Sequence, residues 1–317
     1  MTAKEPRLTT VTRTQGANRA LKDGTVEPAG AELDFVEVPV LVHAFRRMVR
    51  QLEFDVCEMA VTTYLCARSF GVGFTALPIF LVRGLHHGAI QTHPAAGVSD
   101  PRHVVGRKVG VNRGYTVTTG VWARGILADE YGVAPEAVTW VLSGDEHVEQ
   151  YRPPANVVAA PEGATLAELL AAGELAATIG AEIDDPDVRP LIPDPEGVAM
   201  TALTDRGLYP INHLIVVRDD VLADHPGLAV SLFEAFAEAK QRYVEDLRQA
   251  DGSSLTGADR LNHTVMQVTG RDPLPYGLDP NRDILEKLLD FALAQRILPS
   301  RPALKDVFAE ETWSLEA

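Results

Sequence analysis

The stretch LEFDVCEMAVTTYL, residues 52–65, holds a strand pattern that changes into a helix pattern partway along its length. Its first half alternates apolar and polar side chains, which is typical of a half-buried β-strand, and its second half has helical spacing. Glu58 and Cys57 stand near this change, together with Thr62 and Thr63. The stretch predicts a strand that runs into a helix, and its polar groups are the first candidates for a functional role.

The segments on either side repeat this alternation of strands and helices, which is typical of an α/β fold. Before residue 100, strands are predicted at RLTTVTRT (7–14), AELDFVEV (31–38) and FTALPIFLVR (74–83), and helices at ANRALKDG (17–24) and HAFRRMVRQLEF (43–54). After it, strands are predicted within 100–111, 138–143, 174–180 and 208–217, and helices within 117–132, 165–173, 224–247 and 282–298. The proline-rich and acid-rich segment 184–197 is predicted to be a surface connection.

The chain has 317 residues, a length that suits two lobes of roughly 100–200 residues each. A second α/β unit begins near Asp100, where an N-cap residue and a following proline start a new segment. The strand at 208–217 leads back out of this unit. We therefore expect one lobe of residues 1–99 and 211–317 and another of residues 100–210.

Composition limits the possible partners and the cellular location. The net charge of −15 disfavours binding to nucleic acid or to an anionic membrane surface, since either would need clustered Lys and Arg. The two cysteines, Cys57 and Cys66, are too few for a disulfide framework or a structural zinc site. No signal-peptide pattern and no membrane-length apolar run occurs, so we expect a cytoplasmic protein.

Four segments together resemble the 4,5-dihydroxyphthalate decarboxylase family, whose members are cytoplasmic enzymes on a type II periplasmic-binding-protein fold. These segments are LEFDVCEMAVTTYL (52–65), FTALPIFLVRGLHHG (74–88), VGRKVGVNRGYTVTTGVWARGIL (105–127) and LYPINHLIVV (208–217). The resemblance covers roughly residues 7 to 300. It implies a two-lobed α/β fold with a central ligand cleft between the lobes.

The resemblance places the first stretch at the wall of that cleft, where Cys57, Glu58 and Met59 would face the ligand. Glu58 is then a candidate catalytic group, and Cys57 is a candidate substrate contact. The alternative is structural: Glu58 pairs with an arginine, and Cys57 is a small buried residue. A thiol beside a carboxylate forms a thiolate poorly, so we do not expect Cys57 to be a nucleophile.

The loop NRGYTVTTG, residues 112–120, predicts an anion-binding site at the start of a helix. Backbone N–H groups, the helix dipole and nearby hydroxyls converge at such a loop. Arg113 adds a guanidinium that can hold a carboxylate through two hydrogen bonds. The substrate-binding candidates in this loop are Arg113, Tyr115, Thr116, Thr118 and Thr119.

Histidines at two other segments are candidates for moving a proton. In RGLHHG, Arg83 is a candidate charge partner, and His86 or His87 is a candidate catalytic group. Because neighbouring residues of a strand point to opposite faces, we expect at most one of the two histidines to reach a ligand. In PINHL, His213 is a candidate general acid, and Asn212 a candidate substrate contact at a position where the family is expected to carry Met. His147 lies in an acidic run that favours a solvated face.

The resemblance implies a cofactor-independent decarboxylase of a hydroxylated, phthalate-like aromatic acid that needs no metal. A proton added to the ring carbon that bears the carboxylate would be followed by loss of carbon dioxide. His213 or one of His86 and His87 would donate the proton, and Glu58 would polarise the phenolic group. Arg83 and Arg113 would hold a carboxylate that is not lost. A homodimer is possible.

Other functions fit the same residues. A non-catalytic solute-binding protein for a small carboxylate would use the same charged groups without turnover, although it would need to be exported. A decarboxylase or lyase acting on a different acid in secondary metabolism is a second alternative. A thiamine-pyrimidine synthase would need histidine-rich and cysteine-rich signatures, which two cysteines do not supply.

Overall fold

The fold comes from a computed structural model that describes residues 5–317, and the chain divides into two compact units. The first unit holds the residues up to Gly84 together with Ile211–Glu286 and Pro302–Ala317, and the second holds Leu85–Pro210 and Lys287–Arg301. Each unit contains one β-sheet flanked by helices, which confirms the predicted α/β class.

Strands and helices are numbered in chain order within residues 5–317. The strands are β1 Arg7–Val11, β2 Glu32–Phe35, β3 Val56–Ala60, β4 Phe74–Arg83, β5 Ile90–Thr92, β6 Lys108–Val111, β7 Thr139–Leu142, β8 Val157–Ala159, β9 Ala177–Ile179, β10 Arg189–Pro190 and β11 Ile211–Arg218. The helices are α1 Arg19–Lys22, α2 Leu41–Gln51, α3 Val61–Ser69, α4 Thr118–Tyr131, α5 Leu166–Ala171, α6 Pro195–Arg206, α7 Asp219–Asp224, α8 Leu228–Gln249, α9 Gly257–Thr269 and α10 Arg282–Ala294.

The sheet of the first unit has the strand order β2-β1-β3-β11-β4. Strands β1, β2 and β3 run parallel, and β11 lies antiparallel between β3 and β4. All five residues of β3 are buried, as expected for a central strand covered on both faces. The stretch 52–65 therefore forms the centre of this sheet and then continues directly into α3, as its pattern predicted.

The sheet of the second unit has the strand order β10-β5-β9-β6-β7-β8. Strands β6 to β9 form its parallel part, and β5 pairs antiparallel with β9. This pairing explains why residues 85–99, which the sequence analysis assigned to the first lobe, cluster with the second unit. Residues 287–301 also cluster there, because Phe291 packs against Trp122 and Gln295 hydrogen-bonds Arg124.

Three local predictions differ from the structure. The helix predicted over 224–247 begins later, as α8 at Leu228, and its N-cap is Gly227 in a left-handed conformation (φ 83°) instead of Asp224, which ends α7. The predicted surface connection 184–197 contains the start of α6, whose N-cap residue Asp194 accepts a hydrogen bond from the N–H of Gly197. Strand β4 ends at Arg83, so the histidine pair lies beyond it and strand alternation does not apply.

The pairing of β11 is continuous on one side and interrupted on the other. From His213 to Val217 each residue of β11 has its partner on β3 in regular order. Against β4 the register shifts twice, between Ile211 and His213 and again between His213 and Ile215. Such irregularities redirect side chains and are frequent beside functional sites. Within residues 5–317, the helices lack the combination of length and apolar character that crossing a membrane requires.

One carboxylate connects three strands of the first sheet, and its removal should lower stability. Asp55 accepts hydrogen bonds from the N–H and hydroxyl of Thr9, at 2.8 and 2.7 Å, and lies 3.4 Å from the guanidinium of Arg218. We expect Asp55→Asn to lower the free energy of unfolding by about 1–3 kcal/mol, because half-buried donors lose a charged acceptor. Urea unfolding would measure the change.

Asp34→Asn is the matched control. Asp34 pairs with Arg7 on the exposed edge of the same sheet, at 3.1 Å. Its loss should change the free energy of unfolding by less than about 0.5 kcal/mol, as is usual for surface substitutions. Equal effects of the two substitutions would contradict the connecting role of Asp55.

Candidate active site

A buried carboxylate and an imidazole form the central pair of the candidate site in the first unit. Oε1 of Glu58 lies 2.6 Å from Nδ1 of His213, and the side chain of Glu58 is fully buried. Its other oxygen, Oε2, accepts a hydrogen bond from the N–H of Arg13 at 2.9 Å and lies 3.5 Å from Nε2 of Gln15. Both oxygens of Glu58 are therefore engaged, which fixes the carboxylate and allows it to orient the imidazole.

The sheet itself brings these two residues together. His213 on β11 stands opposite Ala60 of β3, and Glu58 is two residues before Ala60 on the same face. Diagonal neighbours of this kind in an antiparallel pair lie within reach of long side chains. The contact supports the expectation that Glu58 and His213 belong to one site. In the described residues the partner of Oε1 is His213, and not the arginine side chain of the alternative interpretation.

The position of His213 suits proton exchange. Because Glu58 binds Nδ1, a neutral ring carries its proton there and leaves Nε2 to take up or release a second proton. The side chain is 17% exposed, so the ring is sheltered and still accessible at its edge. Phe45 of α2 packs edge-on against the ring at 5.1 Å between centroids, which holds its plane. Carboxylate, imidazole and apolar support are the arrangement of a general acid or base.

Cys57 does not share the face of Glu58. Successive side chains of a strand point to opposite faces, so the expectation that Cys57, Glu58 and Met59 all face one ligand is not met. Cys57 is fully buried, and its Sγ lies 3.0 Å from the carbonyl oxygen of Glu58. Burial, assisted by the Glu58 carboxylate, raises the pKa of the Cys57 thiol well above its usual range. The thiol is therefore protonated at neutral pH.

Arg83 and Asn212 lie in the same unit, near the ends of their strands. Nη2 of Arg83 donates hydrogen bonds to Oδ1 of Asn281 and, at 3.4 Å, to the carbonyl of Pro275. Asn212 is half-buried directly before His213. A cavity of ≈ 30 Å³ in the same unit is lined by Gln15 and Arg83 among others. A volume of this size suits about one water molecule and is far below that of an aromatic acid.

His86 and His87 belong to the second unit, where both are buried. Nε2 of His87 lies 3.2 and 3.1 Å from the two carboxylate oxygens of Glu130, which also accepts a hydrogen bond from Arg206. Burial alone would raise the pKa of Glu130, but the hydrogen bonds from His87 and Arg206 outweigh it and lower the pKa. His87 is therefore a hydrogen-bond partner of Glu130 within the second unit.

The loop 112–119 follows β6 and leads into α4, as predicted. The N–H groups of Tyr115 and Thr116 and the hydroxyl of Thr116 all donate to the carboxylate of Glu146. The converging donors that the sequence predicted are thus present, but a carboxylate of the chain itself occupies them. Thr118 and Thr119 begin α4, whose N-cap Val117 provides no side-chain acceptor, and Arg113 is exposed.

The acidic run 145–149 differs from the solvated face that was predicted. His147 is buried and Glu146 is half-buried, while Asp145 and Glu149 are exposed as expected. Sequence reasoning also missed Gln15, Arg13 and Asn281 as neighbours of the predicted residues. The contacts of Arg13 with Glu58 and of Asn281 with Arg83 span long separations in sequence, so no local pattern indicates them.

Within the described range, 5–317, one group of side chains has the spacing of a metal site: His93, Asp185 and Asp187. The N–H of Ala95 donates to Nδ1 of His93 at 3.1 Å, which places the proton of a neutral ring on Nε2. Nε2 is the atom that faces Asp185, at 3.9 Å. Metal ligation needs a free lone pair on that atom, so this group is better described as a long polar contact between a neutral imidazole and a carboxylate.

Solved structures define the class of protein to which this arrangement belongs. The chain is similar to the Candida albicans CA3427 gene product, described as exhibiting the generic periplasmic binding protein fold, with a TM-score of 0.58, 14% identity and coverage of 98% of this chain and 99% of that one. It is also similar to the periplasmic aliphatic sulphonate binding protein SsuA of Escherichia coli, with a TM-score of 0.56, 11% identity and coverage of 99% and 95%. The chain has a periplasmic-binding-protein-like fold.

Curated relatives then give the family. The chain is 30% identical over 289 residues to a 4,5-dihydroxyphthalate decarboxylase of Comamonas testosteroni, covering 86% of each chain. It is 32% identical over 196 residues to the enzyme of the same name from Pseudomonas putida, covering 57% of this chain and 75% of that one. No protein-family model matches the chain. The chain belongs to the 4,5-dihydroxyphthalate decarboxylase family, as its sequence motifs predicted.

The two cysteines should be unreactive in the folded protein. Cys57 and Cys66 are both buried and form no disulfide, and the pKa of Cys57 is raised by burial. We expect almost no reaction with a chromogenic disulfide reagent at about pH 8 in the native protein and reaction of both thiols in guanidinium chloride. A native protein that rapidly releases one equivalent of chromophore would contradict this description of Cys57.

The Glu130 ion pair should stabilise the second unit only where the carboxylate is charged. Because its pKa is lowered from 4.5, the stabilisation is present at neutral pH and is lost as pH falls through the folded-state pKa. We expect Glu130→Gln to lower the free energy of unfolding by about 1–3 kcal/mol at neutral pH, with the difference from wild type narrowing in acid.

Urea unfolding of both proteins at neutral pH and near pH 4 tests this expectation. Glu136→Gln, at an exposed position of the same unit, is the control and should show a small difference that does not vary with pH. If Glu130→Gln lowered the free energy of unfolding by the same amount at both pH values, the role of the charged Glu130 carboxylate would be contradicted.

Proposed function

We propose that the chain is a cofactor-independent decarboxylase of a dihydroxylated, phthalate-like aromatic acid. One observation carries the proposal: the buried Glu58 carboxylate binds Nδ1 of His213 at 2.6 Å and so presents the other ring nitrogen as a proton donor. The names of the curated relatives supply the substrate class, 4,5-dihydroxyphthalate. The reaction needs a proton donor because the ring carbon that bears the carboxylate must be protonated before carbon dioxide can leave.

The chemistry follows from the structure of that substrate. Each ring carbon that bears a carboxylate has a hydroxyl para to it. A proton added to such a carbon, with loss of the para hydroxyl proton, gives a dienone in which the carbonyl oxygen stores the electron density. The bond to the carboxylate then breaks, carbon dioxide leaves, and the bonding pair returns to the ring. Protonation of the phenolate oxygen completes the product, 3,4-dihydroxybenzoate.

His213 would supply the proton to the ring carbon. In its imidazolium form the Nε2–H is the acid, and Glu58 stabilises the positive charge through Nδ1. After the transfer the neutral ring keeps the Nδ1 proton, because the carboxylate remains hydrogen-bonded to it. Phe45 beside the ring adds an apolar surface, which favours neutral carbon dioxide over the charged carboxylate that precedes it. Glu58 is thus the positioning residue and His213 the catalytic residue of the proposal.

The carboxylate that is not lost needs a cationic partner. Arg113 is exposed in the second unit and is the stronger candidate, because its side chain is accessible to a ligand. Arg83 is buried and hydrogen-bonded to Asn281 and Pro275, which makes it a source of positive charge near the β4 end in the first unit. Thr118 and Thr119 would add hydroxyl and N–H donors at the start of α4.

The proposal includes a cytoplasmic location and a homodimer. Two buried thiols without a disulfide fit a reducing compartment, in agreement with the predicted cytoplasmic location. The homodimer stays a prediction.

Substitution of the proton donor should abolish turnover and leave binding in place. We expect His213→Asn to lower kcat for 4,5-dihydroxyphthalate by roughly 10²–10⁴-fold, the usual contribution of a general acid. Glu58→Gln should also lower kcat, because the amide cannot stabilise the imidazolium. Carbon dioxide release measures turnover, and the ligand-induced thermal shift measures binding in the same preparations.

His103→Gln, at an exposed position, is the control and should keep wild-type kcat. In D₂O the product should carry deuterium at the ring carbon that lost its carboxylate, since the proton added there comes from solvent through His213. Wild-type turnover by His213→Asn would overturn the assignment of the donor. A thermal shift without carbon dioxide from the wild-type protein would favour a solute-binding protein instead.

A further inference from the structure

The loop that carries Arg113 is held by a neighbouring turn in the same unit. Residues 112–116 follow β6, and residues 143–146 follow the parallel neighbour β7, so both segments leave the same edge of the sheet. The ends of parallel strands are the usual place for ligand-binding groups in α/β proteins. The contacts between these two segments hold the conformation of the Arg113 loop, residues 112–116.

Glu146 provides the central contact of this turn. Its Oε1 accepts the N–H of Tyr115, and its Oε2 accepts the N–H of Thr116 at 3.2 Å and the hydroxyl of Thr116 at 2.6 Å. Three donors on one carboxylate make charge-assisted hydrogen bonds, which are stronger than neutral ones. Gly114 makes room for the carboxylate: a Cβ atom at this position would lie 2.7 Å from Oε2 of Glu146.

The backbone of Arg113 is strained, and the same turn maintains it. Arg113 has a φ of 69°, in the left-handed region that non-glycine residues seldom occupy. Its N–H donates to Oγ of Ser143 at 2.8 Å, and Ser143 is also 3.3 Å from Oδ1 of Asn112. Strained backbone of this kind persists only where its surroundings enforce it, and it is concentrated at functional sites.

A buried cation contacts the Tyr115 end of the loop. The guanidinium of Arg124 is fully buried, stacks on the ring of Tyr115 at 3.9 Å, and donates to the carbonyl of Tyr115 at 2.6 Å and to Gln295 at 2.7 Å. Burial lowers the pKa of Arg124, while the nearby Tyr115, Tyr151 and Glu146 act in the opposite direction. The cation and the carboxylate thus hold the Tyr115 segment from two sides.

We propose that Glu146 is a positioning residue for substrate binding: it acts as a built-in carboxylate that fills the anion-binding turn of residues 114–116 and so fixes Arg113 in its strained, ligand-facing conformation. This inference rests on the proposed function for the identity of the ligand. It also assigns the carboxylate contact of this loop to the Arg113 side chain, because the backbone donors of Tyr115 and Thr116 are already occupied.

Kinetics of Glu146→Gln separate positioning from catalysis. A neutral amide cannot accept all three hydrogen bonds, so the loop should relax and KM for 4,5-dihydroxyphthalate should rise roughly 10-fold, with kcat within about threefold of wild type. Gly114→Ala should raise KM in the same way, because it displaces the carboxylate without removing it. Glu149→Gln, an exposed neighbour, is the control and should keep the wild-type KM.

A double-mutant cycle tests whether Glu146 acts through Arg113. Arg113→Ala alone should raise KM, and adding Glu146→Gln to it should raise KM no further, because the group that Glu146 positions is already absent. Independent, multiplying effects of the two substitutions would overturn the proposal. So would a Glu146→Gln variant with wild-type KM, or one that loses kcat at unchanged KM.

A binding measurement without turnover tests the occupancy of the turn. Glu146→Ala leaves the three donors open, so acetate should raise its melting temperature in a concentration-dependent way, whereas chloride at equal ionic strength should not. The wild-type protein should show no specific response to acetate, because its own carboxylate occupies the turn. An equal response of both proteins, or none in the variant, would overturn the proposal.

The two arms distinguish failure of this inference from failure of the proposed function. If the wild-type protein releases no carbon dioxide from any hydroxylated aromatic acid, the decarboxylase proposal fails, and the acetate measurement still decides the role of Glu146. If the wild-type protein turns over normally and Glu146→Gln matches it in KM, the enzyme function stands and the positioning role fails.

Discussion

The antiparallel pairing of β11 with β3 is the constraint on which the candidate site depends. It places His213 diagonally across from Glu58 on one face of a sheet whose central strand is buried on both sides. Because β11 lies between β3 and β4, hydrogen bonds on both edges hold it, and a group on such a strand is positioned more firmly than one on a loop. Proton transfer benefits from this firmness, since small displacements of a donor reduce rates strongly.

Three buried or half-buried carboxylates show how an acidic chain uses its charges inside. Glu58 holds an imidazole, Glu130 holds His87 together with Arg206, and Glu146 holds backbone N–H groups of the Arg113 loop. In each case several donors from distant parts of the sequence meet one carboxylate, which offsets the cost of its burial. Part of the excess negative charge of the protein is thus used in internal hydrogen bonds and ion pairs.

Periodicity was enough to predict most of the first unit and, in the second sheet, strands β6, β7 and β9, but not β5, β8 or β10. The stretch 52–65 gave β3 and α3 correctly, and Glu58 and His213 were selected from their positions at predicted strands and through the family resemblance. The contacts that complete the site were not predictable in this way. Glu146 meets Thr116 across 30 residues, and Asn281 meets Arg83 across 198, so only the folded chain brings them together. Asp224 had the character of an N-cap for the long helix α8, but Gly227 takes that position and α8 begins at Leu228.

The uneven pairing of β11 has a consequence for how relatives of this chain can diverge. Its ladder with β3 is regular from His213 onward, whereas the ladder with β4 slips on either side of that residue. The regular ladder with β3 begins at His213, so an exchange at Asn212 leaves the pairing of His213 with Ala60 in place. Under the proposed function, a substrate contact at residue 212 would then change among relatives while the proposed proton donor at residue 213 keeps its backbone position.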